Sequence, residues 1–260
     1  MAKFQCNVIS YVLQRTVDIT VVVPSATIPE SMDPSLTATH VVKEKYPVLY
    51  LLHGYGNNHA TWSGYTNVEM FAEERNIAVV MISGENKFYR DMPSCDSFFK
   101  FVSEEVPELV SNYFPISDRP ENSYIAGLSM GGYGALLHGL THPERFAAIG
   151  AFSSAVMPMG DPDEIEGLVD GPLDVAYLAK QDVAAKTPLP PLYLSCGEDD
   201  FLYKLNTEFK DMLLENHVDV TFVSLPGYTH EWRFWNLQVE QFLDWIPRTD
   251  SYAAKGKRKI

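Results

Sequence analysis

Residues 123–132 read Ser-Tyr-Ile-Ala-Gly-Leu-Ser-Met-Gly-Gly, a strand-like run followed at once by the pattern Gly-x-Ser-x-Gly. This pattern is typical of a sharp strand-to-helix turn that projects a serine hydroxyl beyond the end of a sheet. The two glycines let the turn close and let the strand and the helix pack tightly. Ser129 is therefore predicted to be the nucleophile of a covalent acyl transfer.

Outward from this turn, the chain alternates strand-like and helix-like segments. Two strands are predicted at the start of the chain, and the short link between them indicates an antiparallel pair at one edge of a sheet. The later strands are short unbroken apolar runs, which with helices between them are typical of a parallel sheet covered on both faces. The predicted strands are 4–13, 16–24, Val48–Leu52, 77–82, 124–127, 147–152, 192–196 and Val220–Leu225.

Helical spacing of apolar residues predicts helices over 94–113, 130–140, 202–216 and 232–246. Residues 26–45 are polar with two prolines and are predicted to form a long loop. Residues 157–187 are rich in acidic residues, proline and glycine, and we interpret them as a cap-like insertion over the active site. The sequence predicts a single α/β domain over 1–260, with a mostly parallel eight-stranded sheet and helices on both faces.

Composition argues against several kinds of partner. The chain has 260 residues and a net charge of −14, which disfavours nucleic acid and anionic membrane surfaces. Three cysteines at spacings that match no zinc motif or disulfide framework predict reduced thiols in a cytoplasmic protein. The basic residues at 255–259 are interpreted as a frayed, solvated terminus. His138 and His142 are four residues apart, but we interpret this spacing as chance, and we expect neither a metal nor a cofactor.

A nucleophilic serine needs a base and an acid, which in such sheets follow it in the order acid, then histidine. Two histidines lie far downstream of Ser129. His217 ends a predicted helix, and we interpret it as a helix-terminal residue without a catalytic task. His230 follows the strand Val220–Leu225 and a Pro-Gly turn, at the sheet edge where open α/β sheets place ligands. It is the predicted base.

The acid lies after the predicted strand 192–196, where three carboxylates are adjacent in the chain. Asp200 directly precedes a helix whose first amides could hold it, and Asp199 is the alternative. Spacing favours Asp200 but leaves both open. The acid would fix the tautomer of His230 and stabilise its imidazolium form.

An oxyanion hole needs backbone N–H donors directed at the developing charge. One predicted donor is the amide of Met130, the residue after the nucleophile. The other is placed in the glycine-rich loop 52–58, at Tyr55 with Gly56 in reserve. His53, in the same loop, is interpreted as a packed residue that shapes the turn.

Five segments together resemble the esterase D and tributyrin esterase family of α/β-hydrolases. They are Leu51-Leu52-His53-Gly54, Phe88-Tyr89-Arg90-Asp91-Met92, the serine turn over 127–134, the acid segment over 196–203 and Gly227-Tyr228-Thr229-His230-Glu231-Trp232. The chain also resembles feruloyl esterases and S-formylglutathione hydrolases, and is more similar to the small tributyrin-type carboxylesterases in length and in the His-Gly loop. The resemblance implies the α/β-hydrolase fold, an acid at Asp200, a base at His230, and a dimer or tetramer.

The residues and the resemblance predict a serine carboxylesterase that hydrolyses short-chain acyl or aryl esters through an acyl-enzyme. Trp62 and Trp232 are expected to contribute an aromatic wall beside the substrate. Alternatives within the same chemistry are a feruloyl or acetyl-xylan-type carbohydrate esterase, an S-formylglutathione thioesterase and an acyltransferase. A non-catalytic hydrolase-fold binding protein is the alternative from a different class.

Overall fold

The computed structural model describes residues 1–41, 44–91, 96–157 and 168–260. Within these ranges one eight-stranded sheet has the order β1-β2-β4-β3-β5-β6-β7-β8. Strands β1 and β2 pair antiparallel, β2 is antiparallel to β4, and the remaining neighbours are parallel. The strands are β1 (Ala2–Ser10), β2 (Arg15–Val23), β3 (Val48–Leu52), β4 (Ala78–Ile82), β5 (Ser123–Leu128), β6 (Ala148–Phe152), β7 (Leu192–Gly197) and β8 (Val220–Leu225).

The predicted antiparallel pair does lie at one edge, and β3 to β7 are buried throughout their length. The outermost parallel strand differs from the prediction, which grouped β8 with the fully buried strands. Every residue of β8 is only partly buried. The reason is its position, because β8 pairs with β7 on one side and ends the sheet on the other.

Except for the first, which has no buried residue, the helices in the described ranges pack on the two faces of this sheet. They are α1 (Ile28–Met32), α2 (Thr61–Tyr65), α3 (Val68–Glu74), α4 (Phe98–Lys100), α5 (Val106–Tyr113), α6 (Met130–Thr141), α7 (Val175–Ala185), α8 (Tyr203–Glu215) and α9 (Trp232–Trp245). A π-helical turn, Phe101–Glu105, joins α4 to α5. The predicted helices correspond to α4 with α5, α6, α8 and α9. Two separate apolar layers result, one containing α6 and the other containing α3 and α9.

The region predicted as a long loop contains a short helix. Thr27 caps α1, since its hydroxyl accepts the Glu30 amide proton while a Glu30 carboxylate oxygen accepts the Thr27 amide proton at 3.1 Å. This reciprocal pair satisfies two amides at the start of the helix. The Thr-x-x-Glu signal was present in the sequence, so the loop prediction for 26–45 was wrong there.

The predicted insertion is described only in part, because residues 158–167 lie outside the described ranges. Its later half forms α7, in which Val175 and Ala179 are buried. The Tyr133 hydroxyl of α6 donates to the Leu173 carbonyl oxygen at 2.7 Å, which ties this segment to the helix after the serine turn. That 157–187 covers the active site stays a prediction.

The basic C-terminal segment is docked, so its interpretation as a frayed terminus was wrong. The Arg258 side chain is only 13% exposed and forms ion pairs with Glu30 and Glu73. Lys257 pairs with Asp244 on α9 at 2.7 Å. The end of the chain therefore joins α1, α3 and α9 through charges that are remote in sequence.

Candidate active site

Ser129 lies on a sharp turn between β5 and α6, with a φ of 53° and a ψ of −115°. A positive φ is unfavourable for a residue with a side chain and persists only where the surroundings impose it. Here the Ser129 amide donates to the Phe152 carbonyl oxygen at 2.9 Å, and its carbonyl oxygen accepts the amide proton of Ala155 at 3.1 Å. Backbone hydrogen bonds thus fix the strained turn, and Ser129 lines a cavity at the end of the sheet.

The two glycines of the motif are required by close approaches of the backbone. A Cβ atom on Gly127 would lie 2.3 Å from the carbonyl oxygen of Gly131. On Gly131 it would lie 2.4 Å from the carbonyl oxygen of Leu52 in β3. Both distances are too short for a carbon atom, so a side chain at either position would force the turn away from the sheet.

The predicted base and one of the predicted acids lie together. His230 Nδ1 is 2.9 Å from Asp200 Oδ2, and the Asp200 side chain is fully buried. The other Asp200 oxygen accepts the Leu202 amide proton at 2.9 Å. Burial raises the pKa of Asp200, but the hydrogen bonds from His230 and Leu202 outweigh it, and the pKa lies below its usual value. An ionised Asp200 holds the proton of His230 on Nδ1 and leaves Nε2 free to accept another.

The choice between the two aspartates that the spacing left open is resolved by their contacts. Asp199 is exposed, and its carboxylate accepts the Gly227 amide proton at 3.1 Å. Its own amide donates to the Tyr228 carbonyl oxygen at 3.1 Å. Asp199 therefore fixes the turn that precedes His230, while Asp200 contacts the imidazole itself.

The loop after β3 presents backbone amides to the same cavity. The Gly56 amide donates to Asn86 Oδ1 at 2.7 Å, so the reserve candidate for the oxyanion hole is already engaged. Among the residues that the structure describes, the amides of Tyr55 and Met130 have no hydrogen-bond acceptor. Both residues line the cavity beside Ser129. This geometry favours Tyr55 over Gly56 as a donor.

His53 is hydrogen-bonded to backbone groups and packs edge to face on Tyr89, as expected for a packed residue. It is 1% exposed, Nε2 accepts the Gly84 amide proton at 2.9 Å, and Nδ1 lies 2.7 Å from the Gly54 carbonyl oxygen. Burial lowers its pKa to about 4, so the ring is neutral near pH 7. His53 therefore joins the loop after β3 to the loop after β4 and does not contact His230.

The remaining histidines that the sequence analysis considered lie elsewhere. His138 is buried in α6, where Nε2 is 3.0 Å from the Tyr89 carbonyl oxygen and burial lowers its pKa to about 3. His217 is exposed just after α8, as predicted for a helix-terminal residue. Within the described ranges no group of three potential ligands could hold a metal ion. In the same ranges, none of the helices has the length and apolarity that crossing a bilayer demands.

The cavity has a volume of about 750 Å³ and is lined by both aromatic and polar side chains. Aromatic rings lie beside His230, which contacts Phe201 at 4.7 Å and Trp235 at 4.9 Å between ring centroids. The polar part of the lining includes Asn57, Asn86, Lys87 and Arg90. Sequence reasoning missed Trp235 and Asn86. A signal existed only for Trp235, which lies one helical turn after the predicted Trp232.

One of the two predicted aromatic wall residues does not reach the cavity. Trp232 lines it, with the Tyr65 ring stacked on it at 5.1 Å. Trp62 is fully buried, and its indole N–H donates to the Leu52 carbonyl oxygen at 3.0 Å. It meets Trp232 edge to face at 5.4 Å. The prediction that Trp62 contacts substrate was wrong, since it packs behind Trp232 instead.

The chain is similar to several known ester hydrolases. An acetyl esterase of Caldicellulosiruptor saccharolyticus is 31% identical over 95% of this chain and 99% of its own length. A crystal structure of an S-formylglutathione hydrolase from Staphylococcus aureus has a TM-score of 0.82 and 26% identity over 94% of this chain and 98% of its own. Fluorophosphonate-binding serine hydrolase F of the same organism has a TM-score of 0.82 and 27% identity, over 94% of this chain and 97% of its own.

The model of the family described as "Putative esterase" matches residues 25–246. That range runs from the loop after β2 to the end of α9 and contains the serine turn, the Asp200–His230 pair and the loop of Tyr55. The chain therefore belongs to this esterase family, as a serine ester hydrolase with the α/β-hydrolase fold.

Proposed function

We propose that Ser129, His230 and Asp200 form the catalytic triad and that this esterase cleaves short-chain acyl or aryl esters. The observation that carries the proposal is the 2.9 Å contact between His230 Nδ1 and Asp200 Oδ2. It directs the imidazole into the cavity that Ser129 also lines, with Ser129 held in a strained turn. A nucleophile, a base and an orienting acid at one sheet edge are the requirements of acyl transfer.

In this mechanism the Ser129 hydroxyl oxygen attacks the ester carbonyl carbon while His230 Nε2 takes the hydroxyl proton. Asp200 stabilises the resulting imidazolium, and the amides of Tyr55 and Met130 donate to the oxyanion. Collapse of the intermediate expels the alcohol, which receives the proton from His230. Water then attacks the acyl-enzyme with His230 as base, and the carboxylic acid leaves as Ser129 regains its proton.

The size and lining of the cavity support small esters. A volume of about 750 Å³ lies within the ordinary range for small-molecule sites. Its aromatic lining, which includes Phe201, Trp232 and Trp235, suits an apolar acyl or aryl group. The similarity to an acetyl esterase at 31% identity supports a short acyl group.

The test is a substrate series measured with the parent and with Ser129→Ala. We expect 4-nitrophenyl acetate and butyrate to exceed the octanoate in kcat/KM, and Ser129→Ala to lose at least about 1,000-fold. A folded Ser129→Ala that hydrolyses 4-nitrophenyl acetate at the parental rate would refute the triad. Faster turnover of S-formylglutathione, methyl ferulate or acetylated xylan would replace the proposed substrate class while leaving the triad intact.

The same triad would serve an acyltransferase, and added alcohols distinguish the two activities. Product analysis in the presence of competing alcohol or sugar acceptors is expected to give only the free acid. Transfer products that dominate over hydrolysis would reassign the activity.

The compartment, the oligomeric state and the partners of the enzyme are also proposals. We propose a cytoplasmic homo-oligomer, a dimer or tetramer, that acts on a small-molecule ester and binds neither nucleic acid nor membrane. Cys6 and Cys196 are free thiols, which suits a reducing compartment, and the net charge of −14 repels polyanions. Light scattering on the eluting protein is expected to give two or four times the chain mass of 29.3 kDa, and a monomer would refute the assembly.

A further inference from the structure

Tyr89 is a buried residue without an assigned role in the loop after β4. Its neighbours Phe88 and Arg90 line the cavity, whereas Tyr89 itself is fully buried. Phe88 and Tyr89 both have a positive φ, of 52° and 56°. This left-handed backbone costs free energy for residues with side chains and persists only where the surroundings impose it. The contacts of the Tyr89 side chain therefore need to be accounted for.

The Tyr89 ring packs against the backbone of two elements, which glycines allow to approach closely. A Cβ atom on Gly84, in the same loop, would lie 2.1 Å from a ring carbon of Tyr89. A Cβ atom on Gly134 of α6 would lie 2.5 Å from another ring carbon. One turn further along α6, His138 Nε2 lies 3.0 Å from the Tyr89 carbonyl oxygen. Tyr89 is thus fixed against the helix that begins with Met130.

The Tyr89 hydroxyl reaches the loop after β3. It donates to the His53 carbonyl oxygen at 2.9 Å, and the Tyr89 and His53 rings meet edge to face at 5.7 Å. His53 is 1% exposed, so this hydrogen bond is shielded from water. A shielded hydrogen bond is stronger than one in water, and its loss leaves a buried carbonyl oxygen without that donor. Tyr89 therefore holds His53 through both its backbone and its ring.

His53 in turn orients the peptide that carries a proposed oxyanion donor. The Gly84 amide can only donate, so His53 Nε2 is the acceptor at 2.9 Å and the ring proton lies on Nδ1. Nδ1 then donates to the Gly54 carbonyl oxygen at 2.7 Å. This oxygen belongs to the same planar peptide unit as the Tyr55 N–H, and in a trans peptide the two groups point in opposite directions. Fixing the carbonyl oxygen therefore fixes the direction of the N–H.

We propose that Tyr89 is a positioning residue of the oxyanion hole. Through His53 it fixes the peptide that carries the Tyr55 amide, and through its ring it sets the distance of this peptide from α6 and the Met130 amide. This inference rests on the proposed triad and its oxyanion hole. Tyr89 does not touch the ester, so it acts on the rate through the two amides.

The consequence is a defined kinetic effect. Without the Tyr89 hydroxyl, the loop after β3 loses a tether, and the Tyr55 N–H is directed less often at the position of the oxyanion. The oxyanion carries its charge only in the tetrahedral intermediate and the transition states that flank it, so the bound ester is affected little. The turnover number should therefore fall while KM stays near its parental value.

The chain provides a matched control in Tyr124. Tyr124 is also fully buried, and its hydroxyl also donates to a backbone carbonyl oxygen, that of Pro247, at 2.8 Å. It lies near the start of β5, about 16 Å along the strand from Ser129. Tyr124→Phe therefore removes the same atom from the same kind of hydrogen bond without touching the loop after β3. We expect it to leave kcat and KM unchanged.

The main experiment compares Tyr89→Phe with Tyr124→Phe on 4-nitrophenyl acetate, under conditions where urea unfolding shows both variants to be folded. Tyr89→Phe is expected to lose about tenfold in kcat with KM within about twofold, less than for direct loss of an oxyanion donor. Parental kcat in Tyr89→Phe, or an equal loss in both variants, would overturn the proposal. A loss confined to KM would also overturn it, because Tyr89 would then act through its cavity-lining neighbours Phe88 and Arg90.

A second measurement tests whether the effect passes through the oxyanion. The Ser129 oxygen adds to the carbonyl carbon of an alkyl trifluoromethyl ketone, the hydroxyl proton passes to His230, and the ketone oxygen becomes the oxyanion. The inhibition constant of the ketone should rise about tenfold in Tyr89→Phe, and that of the corresponding alcohol, which forms no oxyanion, should not change. An unchanged constant for the ketone would overturn the proposal. If Ser129→Ala is fully active, the triad itself fails, so the two failures are distinguishable.

Discussion

The two sides of the cavity hold their histidines in opposite ways. Beside the loop after β3, His53 is 1% exposed, bonded only to backbone groups, and its pKa is lowered to about 4 by burial. Beside the loop after β8, His230 keeps 21% of its side chain exposed and contacts the ionised carboxylate of Asp200. The same residue type thus serves as a neutral crosslink between two loops on one side and as the partner of a buried carboxylate on the other.

The proposed chemistry places different demands on the two sides of the cavity. An oxyanion hole has to present fixed N–H groups, so the loop that carries Tyr55 benefits from partners that do not titrate. A base has to gain and lose a proton, and a carboxylate partner stabilises the charged form.

The largest effect is expected from replacing Asp200, the proposed acid that contacts His230. Asp200→Asn should lower kcat about 10,000-fold, since the amide favours the wrong tautomer of His230. Asp199→Asn is the matched control, because Asp199 is adjacent in sequence, is exposed, and contacts the Gly227 amide instead of His230. We expect it to stay within about threefold of the parent in kcat/KM. Equal losses in the two variants would contradict the assignment of the acid.

The next largest effect is expected in the loop after β3, on the opposite side of the cavity from His230. Asn86→Ala removes the acceptor for the Gly56 amide, whose 2.7 Å hydrogen bond fixes the loop that carries Tyr55. We expect kcat to fall about tenfold, less than the 100-fold or more for direct loss of an oxyanion donor, because the Tyr55 amide itself remains. The pH dependence of kcat should keep its shape, since Asn86 does not titrate.

Asn112→Ala on α5 is the control for this variant, since Asn112 is exposed and bonds only to the Glu108 carbonyl oxygen of the preceding turn. It should match the parent. An Asn86→Ala enzyme with parental kcat would show that the loop needs no such tether.

The sequence predicts a feature of this structure well when its signal lies in neighbouring residues, and poorly when the feature depends on residues that are remote in the chain. The serine turn was predicted because its signal, the spacing of two glycines around a serine, lies within the five residues 127–131. The docked tail was missed because Arg258 pairs with Glu30 and Glu73, more than 180 residues away in the chain. Trp62 was misplaced because its sequence neighbourhood does not reveal which way a ring packs. Asn86 has no motif at all, since its role depends on the approach of two loops.

A smaller effect is expected on the free energy of unfolding, because His53 and His138 stay neutral in the folded protein. The pKa values of His53 and His138 are lowered by burial to about 4 and about 3, against 6.5 in the unfolded chain. As the pH falls below 6.5, the unfolded state binds protons that the folded state does not, so stability decreases with falling pH down to these lower values. For His53 alone the loss approaches about 3 kcal/mol near pH 4.

Urea unfolding at pH 7.5 and pH 5.0 measures this loss of stability. Both pH values lie above the lowered pKa of Asp200, so this carboxylate stays ionised in both measurements. His138→Gln keeps a donor for the Tyr89 carbonyl oxygen and removes the titrating ring, so the difference in unfolding free energy between the two pH values should shrink. An unchanged difference would mean that His138 is hydrated and titrates normally in the folded protein.

The smallest effect is expected from Tyr65, which is 65% exposed yet stacks on the cavity residue Trp232 at 5.1 Å. An aromatic pair of this kind contributes about 0.5–1.5 kcal/mol, and a pair that is exposed to water is expected to contribute near the lower value. Tyr65→Ala should therefore lower kcat/KM for phenyl acetate about threefold, because Trp232 loses the ring that orients one of its faces. Ethyl acetate, which presents no ring to Trp232, should be hydrolysed as by the parent. If both esters lose activity equally, Tyr65 supports the fold of α2 and Trp232 does not select the aryl group.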